Sequence, residues 1–168
     1  MCICVTTFKD LYFSVAIDEA LFELEAHCEG EMNVEKPQSL KVDCLKDCGN
    51  APKKALLKEL TVALAMRDYT GMSGNLADDI RWQIAGHKSF FGKEDLKEAL
   101  NKNTNKEIIQ LHIQNIITHG SSGAVNGFFV FDDQSTLSFC DVYSFTSAGK
   151  SAKVKEIMSY RIEEKLMY

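Results

Sequence analysis

Asp141 is the residue whose type and position ask most plainly for chemistry. From Leu137 to Phe145 the chain alternates with period two and reads as a strand. One face carries Leu137, Phe139, Asp141, Tyr143 and Phe145; the other carries Ser138, Cys140, Val142 and Ser144. A lone carboxylate on the aromatic face is costly, so Asp141 must be paired, hydrogen-bonded or kept protonated. No Lys or Arg shares that strand face. A neutral Asp141 could donate a hydrogen bond to the carbonyl or oxyanion of a bound molecule. Equally, it could hold a structural hydrogen bond to Trp82, Tyr160 or the backbone. Proton transfer needs a second titratable group. His119, beside the turn Gly120-Ser121-Ser122-Gly123, is the candidate, against the plainer reading of a solvated turn histidine. Trp82 and Phe139 are candidate pocket walls, and Tyr143 and Tyr160 candidate hydroxyls. Asn126, which shares a face with Phe128 and Val130, adds a neutral polar group. Each of these has an ordinary core or surface role as its alternative.

The elements that must position these residues follow from periodicity. Asn50 and Pro52 signal a helix start, and Leu56, Leu57, Leu60, Ala63 and Leu64 give it one apolar face through Met66. Asp68 to Gly74 is a break or a short second helix. Ile80, Trp82 and Ile84 alternate with polar residues as a first strand. Lys93 to Asn101 is a short helix with Leu96, Ala99 and Leu100 inward. Four strands joined by tight turns then form an antiparallel meander: Ile109–Ile117, Ala124–Phe131, the Asp141 strand, and a last strand marked by Val154, Met158, Tyr160 and Ile162. Helices first and strands last argue an α+β fold.

Composition narrows the function classes. The 168 residues are 45% hydrophobic and 26% charged, which is globular. The net charge of −5 is concentrated at the start, where residues 1–50 hold four lysines against ten carboxylates. The remainder is near neutral and carries no basic stripe, so nucleic acid is not an expected partner. Ile17, Leu21, Leu24 and Cys28 recur at helical spacing with Asp18, Glu19, Glu23 and Glu25 between them, an acidic amphipathic helix. Glu29 to Lys41 reads as a linker. The expected division is an acidic extension over 1–49 and a folded domain over 50–164. The six cysteines, without a basic leader or an apolar run of membrane-spanning length, suggest a cytoplasmic protein with reduced thiols and no membrane association. Cys2-x-Cys4 and Cys44-x3-Cys48 lack the spacing of structural zinc sites, so no metal is expected.

Several segments resemble SnoaL-like proteins of the nuclear-transport-factor-2 superfamily. They are Leu76-Ala77-Asp78-Asp79-Ile80-Arg81-Trp82 with Gly86 and Phe91-Gly92-Lys93-Glu94-Asp95-Leu96; His119-Gly120; Gly123-Ala124-Val125-Asn126-Gly127; Phe139 to Phe145; and Lys153 to Tyr160. The resemblance covers about residues 50 to 164. It implies a cone-shaped α+β barrel, a curved antiparallel sheet closed by helices around a pocket, and a homodimer through the open sheet face. It leaves function open, since one fold hosts isomerases, cyclases, dehydratases, epoxide hydrolases and ligand binders. The isomerase resemblance aligns Asp141 with an acid kept neutral to donate to an oxyanion, a known example of that device. It also places the isomerase base at Ile84 and the isomerase phenol near Leu60, neither of which can serve. The second carboxylate of the epoxide hydrolases falls at Ser159 and Tyr160. The expectation is therefore a pocket protein for a small, mostly apolar or carbonyl-containing molecule, with no cofactor. The alternatives are a small enzyme of isomerase, cyclase or dehydratase type using Asp141, or an interaction module acting through the N-terminal helix.

Overall fold

The computed structural model describes residues 40–44, 51–101 and 106–163. The expected acidic helix over Ile17–Cys28 lies outside them. Seven strands and three helices follow the order β1 (Lys41–Cys44), α1 (Pro52–Ala65), α2 (Tyr69–Ser73), β2 (Leu76–Ile84), β3 (Ser89–Phe91), α3 (Gly92–Asn101), β4 (Ile108–His119), β5 (Ser122–Phe131), β6 (Thr136–Phe145) and β7 (Val154–Glu163).

Local chemistry sets the helices. Pro52 opens α1, where its missing N–H costs no hydrogen bond. Leu57, Leu60, Thr61 and Ala65 form the buried stripe of α1 at helical spacing. The Asp68 carboxylate accepts from the Gly71 N–H at 2.9 Å and starts α2. Leu96 and Leu100 anchor α3.

The strands form one sheet in the order β1-β4-β5-β6-β7-β2-β3. β4 to β7 are the expected antiparallel meander. The fold is the expected α+β cone, and its curved sheet is mixed and open, with two parallel pairs added to the antiparallel meander. β2 lies parallel to β7, Leu76 opposite Val154 and Ile84 opposite Ser159. β1 lies parallel to β4, Lys41 opposite Gln110. Among the described residues the first strand of the sheet starts at Lys41. Asp43 secures β1, accepting from Gln110 Nε2 at 3.1 Å and lying 3.5 Å from His112 Nδ1.

The sheet bends sharply at Gly127, where a Cβ would overlap the carbonyl oxygen of His112. At Gly123 a Cβ would lie 2.7 Å from Leu57 Cδ1, so α1 seats directly on the backbone there. The core fills the space between the helices and the concave face, with Leu57, Leu60, Ile80, Trp82, Leu96, Leu111, Val125, Phe129 and Phe139 all buried. A fully buried side chain of this size contributes about 1.5–3 kcal/mol.

Candidate functional site

The concave face of β6 carries Leu137, Phe139, Asp141, Tyr143 and Phe145, all buried, as their alternation demands. Asp141 is wholly inaccessible to solvent. Its partner comes from the neighbouring strand. β6 and β7 pair with Asp141 opposite Ser159 and Phe139 opposite Arg161. Diagonal neighbours on one sheet face are within reach of long side chains. Arg161 Nη1 donates to Asp141 Oδ1 at 2.6 Å and Nη2 donates to Oδ2 at 3.3 Å, a two-pronged pair. The same guanidinium donates to the Tyr160 carbonyl at 3.1 Å and to Ser159 Oγ at 3.3 Å. Ser159 Oγ also accepts from Trp82 Nε1 at 2.8 Å. The Arg161 side chain is only 6% exposed. Its guanidinium carbon lies 5.6 Å from the Phe139 ring centre and 5.9 Å from that of Phe129. Those rings stack at 4.5 Å, so the cation rests on an aromatic floor.

A second polar pair lies under α1. Thr61 Oγ1 donates to the Leu57 carbonyl at 2.8 Å, and the Tyr143 hydroxyl hydrogen-bonds Thr61. Burial first, and the nearby Asp141 charge second, push the Tyr143 phenol well above its ordinary range and keep it neutral. Among the described residues, no buried side-chain nitrogen or oxygen lacks a hydrogen-bond partner. The buried polar groups of the described interior are thus satisfied within an otherwise apolar core.

That pairing replaces the expectation of a neutral, donating Asp141. Both carboxylate oxygens already accept from Arg161. Its own strand carries no cation on that face; the adjacent strand does.

The sheet separates the other candidate residues. Trp82, Phe139, Asp141 and Tyr143 meet inside the cone. Asn126, Phe128 and Tyr160 lie on the opposite, outer face. Asn126 Nδ2 donates to Gln114 Oε1 at 3.0 Å, Phe128 stacks on His112 at 4.4 Å, and Tyr160 is 47% exposed. On β5 both faces carry apolar residues, and the inward one is Gly123, Val125, Gly127 and Phe129, where α1 and the bend demand glycine. On β7 a bulge inserts Lys155: Phe145 pairs with Val154 but Ser144 with Glu156. Every later side chain therefore changes face, taking Tyr160 out and bringing Ser159 and Arg161 in. His119 is exposed at the end of β4, opposite Ser122, whereas Asp141 stands opposite Val125 farther along the sheet. Sequence reasoning missed Arg161, Ser159 and Thr61.

Among the described residues, no group of His, Cys, Asp and Glu is arranged to hold a metal ion. Cys44 is disulfide-bonded, while Cys140 is a free thiol. The expectation of reduced thiols throughout therefore fails at Cys44. Burial and the Asp141 charge push the Cys140 thiol up and leave it a weak nucleophile. Among the described residues, no helix is long and apolar enough to cross a membrane.

No protein-family model and no curated protein matches this sequence. Solved structures do match. A Kribbella flavida protein assigned as a ketosteroid isomerase is 17% identical, covers 70% of this chain and 82% of its own, and superposes with a TM-score of 0.56. A Shewanella denitrificans protein assigned as a SnoaL-like polyketide cyclase is 12% identical over 66% of this chain and 90% of its own, with a TM-score of 0.55. The LEH-like epoxide hydrolase of M. tuberculosis is 13% identical over 64% and 80%, with a TM-score of 0.53. The chain has the nuclear-transport-factor-2-like fold of SnoaL-like proteins. At these identities the likeness concerns the fold alone. Within this SnoaL-like cone, Ile84 and Leu60 are buried hydrocarbon at the positions where the resemblance puts the isomerase base and phenol. The last strand turns the Ser159 hydroxyl and the Arg161 guanidinium inward, and no carboxylate stands there.

Proposed function

We propose that this SnoaL-like cone binds a small, mostly apolar molecule without transforming it. The observation that carries this reading is the buried Asp141–Arg161–Ser159–Trp82 strip on an otherwise aromatic wall. A buried ion pair is a poor device for stability, because hydrophobic residues of the same volume do as well or better. Such a strip does fit recognition, where a few placed polar groups orient an apolar ligand. The charges of Asp141 and Arg161 cancel locally, so the complementary ligand is neutral and accepts hydrogen bonds, as a carbonyl compound does. Against catalysis stands the engagement of Asp141 by Arg161, together with hydrocarbon at Ile84 and Leu60. Trp82 is the only tryptophan in the chain and sits within the strip. Titration with a panel of neutral apolar ketones should shift its emission and raise the melting temperature. A panel that moves neither overturns the reading, and turnover of any ketone overturns its non-catalytic half.

The same reading includes a homodimer. The outer sheet face exposes Ile117, Val142, Tyr160 and Ile162, an apolar patch suited to a second copy. Light scattering should give the mass of two chains, and V142K combined with I162K should give that of one. A wild-type mass of one chain at micromolar concentration overturns the dimer.

A further inference from the structure

Ser159 is satisfied as an acceptor but not as a donor. A serine hydroxyl has two lone pairs and one proton to give. Ser159 Oγ accepts from Trp82 Nε1 at 2.8 Å and from Arg161 Nη2 at 3.3 Å, which fills both lone pairs. Among the described residues nothing accepts the Ser159 proton. Asp141 stands opposite on β6, yet both its side-chain bonds are to Arg161. Ser159 is wholly buried, so bulk water does not serve that proton either, and a buried donor left unpaired is costly. Arg161 repeats the pattern. Nη1 and Nη2 make its four hydrogen bonds, and its Nε–H has no acceptor among the described residues. Asp141 occupies the edge shared by Nη1 and Nη2, so the hydrogen that Nη2 gives Ser159 is on the edge it shares with Nε. The two unpaired donors, Ser159 Oγ–H and Arg161 Nε–H, therefore lie side by side.

Two adjacent donors with no acceptor beside them match one oxygen that brings lone pairs and no proton. We propose that Ser159 Oγ–H and Arg161 Nε–H together grip the carbonyl oxygen of a ketone, aldehyde or ester, and that this grip rejects the corresponding alcohol. The inference rests on the ligand-binding reading above and names the atoms that carry it. Trp82 and Arg161 both donate to Ser159 Oγ, so they fix the direction left to its proton before a ligand arrives. An alcohol oxygen could accept both bonds, but it brings a proton of its own. The rings of Phe129 and Phe139 beside Arg161 offer that proton no lone pair. A carboxylate is disfavoured because it would share one cation with Asp141, a second negative charge in a buried place.

Isosteric probes on the full-length protein test this. Each neutral ketone that shifts Trp82 emission is compared by calorimetry with its secondary alcohol and its methylene analogue, beginning with cyclohexanone, cyclohexanol and methylenecyclohexane. Wild type should bind the ketone at least about tenfold more tightly than either analogue, since each analogue leaves a buried donor unpaired. S159A should weaken ketone binding by about tenfold and leave binding of the methylene analogue unchanged. S159T keeps the hydroxyl and should keep the preference. The infrared stretch of the bound carbonyl should lie lower in wild type and S159T than in S159A. The wild-type series needs no variant, so it decides the matter even if S159A fails to fold. An alcohol or methylene analogue that binds wild type as tightly as the ketone overturns the inference and leaves the ligand reading standing. So does an S159A protein with wild-type ketone affinity and carbonyl frequency. A wild-type protein that responds to no ketone overturns the ligand reading and this inference with it.

Discussion

Removing one member of the Asp141–Arg161 pair is the sharpest perturbation the structure offers. Asp141 is fully buried, and among the described residues its side chain accepts hydrogen bonds from Arg161 alone. R161M therefore strands a buried carboxylate beside Phe129 and Phe139. D141L strands a guanidinium that is 6% exposed and retains only the Tyr160 carbonyl and Ser159 hydroxyl. Breaking a buried pair from either side costs about 3–5 kcal/mol. For a chain of this size that lowers the melting temperature by about 6–20 °C. The double variant D141L/R161M strands nothing and places hydrocarbon against Phe129 and Phe139, so it should lie within about 1 kcal/mol of wild type. Urea unfolding of the four proteins should give a coupling energy of at least about 3 kcal/mol, far outside the additivity expected of independent sites. Single variants that each cost under about 1 kcal/mol, or effects that simply add, would mean the pair is open to water. The double variant also separates stability from binding. If the strip recognises a ligand, this protein folds like wild type but no longer shifts Trp82 emission with a ketone that the wild type binds.

Three further outcomes follow from the same coordinates. G127A should cost about 3 kcal/mol in urea unfolding, because its Cβ meets backbone that cannot rotate away; a cost near zero would mean the bend between β4 and β5 is loose. Removing residues 1–39 should leave a cooperative melt. Removing residues 1–48 should lower its midpoint by several degrees, since it takes away β1 with the partly buried Leu40, Val42 and Cys44; equal midpoints would show that β1 adds nothing to the sheet. Tyr143 should remain unionised until the protein unfolds. Its folded pKa is raised, so the fold holds that proton more tightly than the unfolded chain. The resulting stability is complete below the ordinary tyrosine value of 10.0 and is lost as pH rises beyond it. Phenolate absorbance should therefore show one of the five tyrosines titrating only with alkaline unfolding; five phenols ionising in the folded protein would refute this.

Which parts of this site were legible depends on how far the chemistry lies along the chain. The phase of β6 was readable because five large or acidic residues alternate with small ones, and no bulge interrupts it before Ser144. The helices over Pro52–Ala65 and Gly92–Asn101 were readable from apolar spacing. Pairing was not readable. β2 finds its parallel partner across most of the domain, and β1 joins the sheet from a segment whose charge looks foreign to it. Face assignment failed where a bulge or a bend intervened. Gln114 is the extra residue in β4, so Ile116 is buried and Ile117 is 64% exposed, the reverse of plain alternation. Lys155 does the same in β7. That second slip hid the partner of Asp141. Strict alternation from Val154 puts Arg161 outside with the solvent, whereas one inserted residue puts it beside the acid. A buried acid on a strand is therefore a question about the cations of both neighbouring strands, in both possible phases. Asked that way, Arg161 is the basic residue of the last strand that the bulge turns inward, and the costly lone carboxylate resolves into an ion pair.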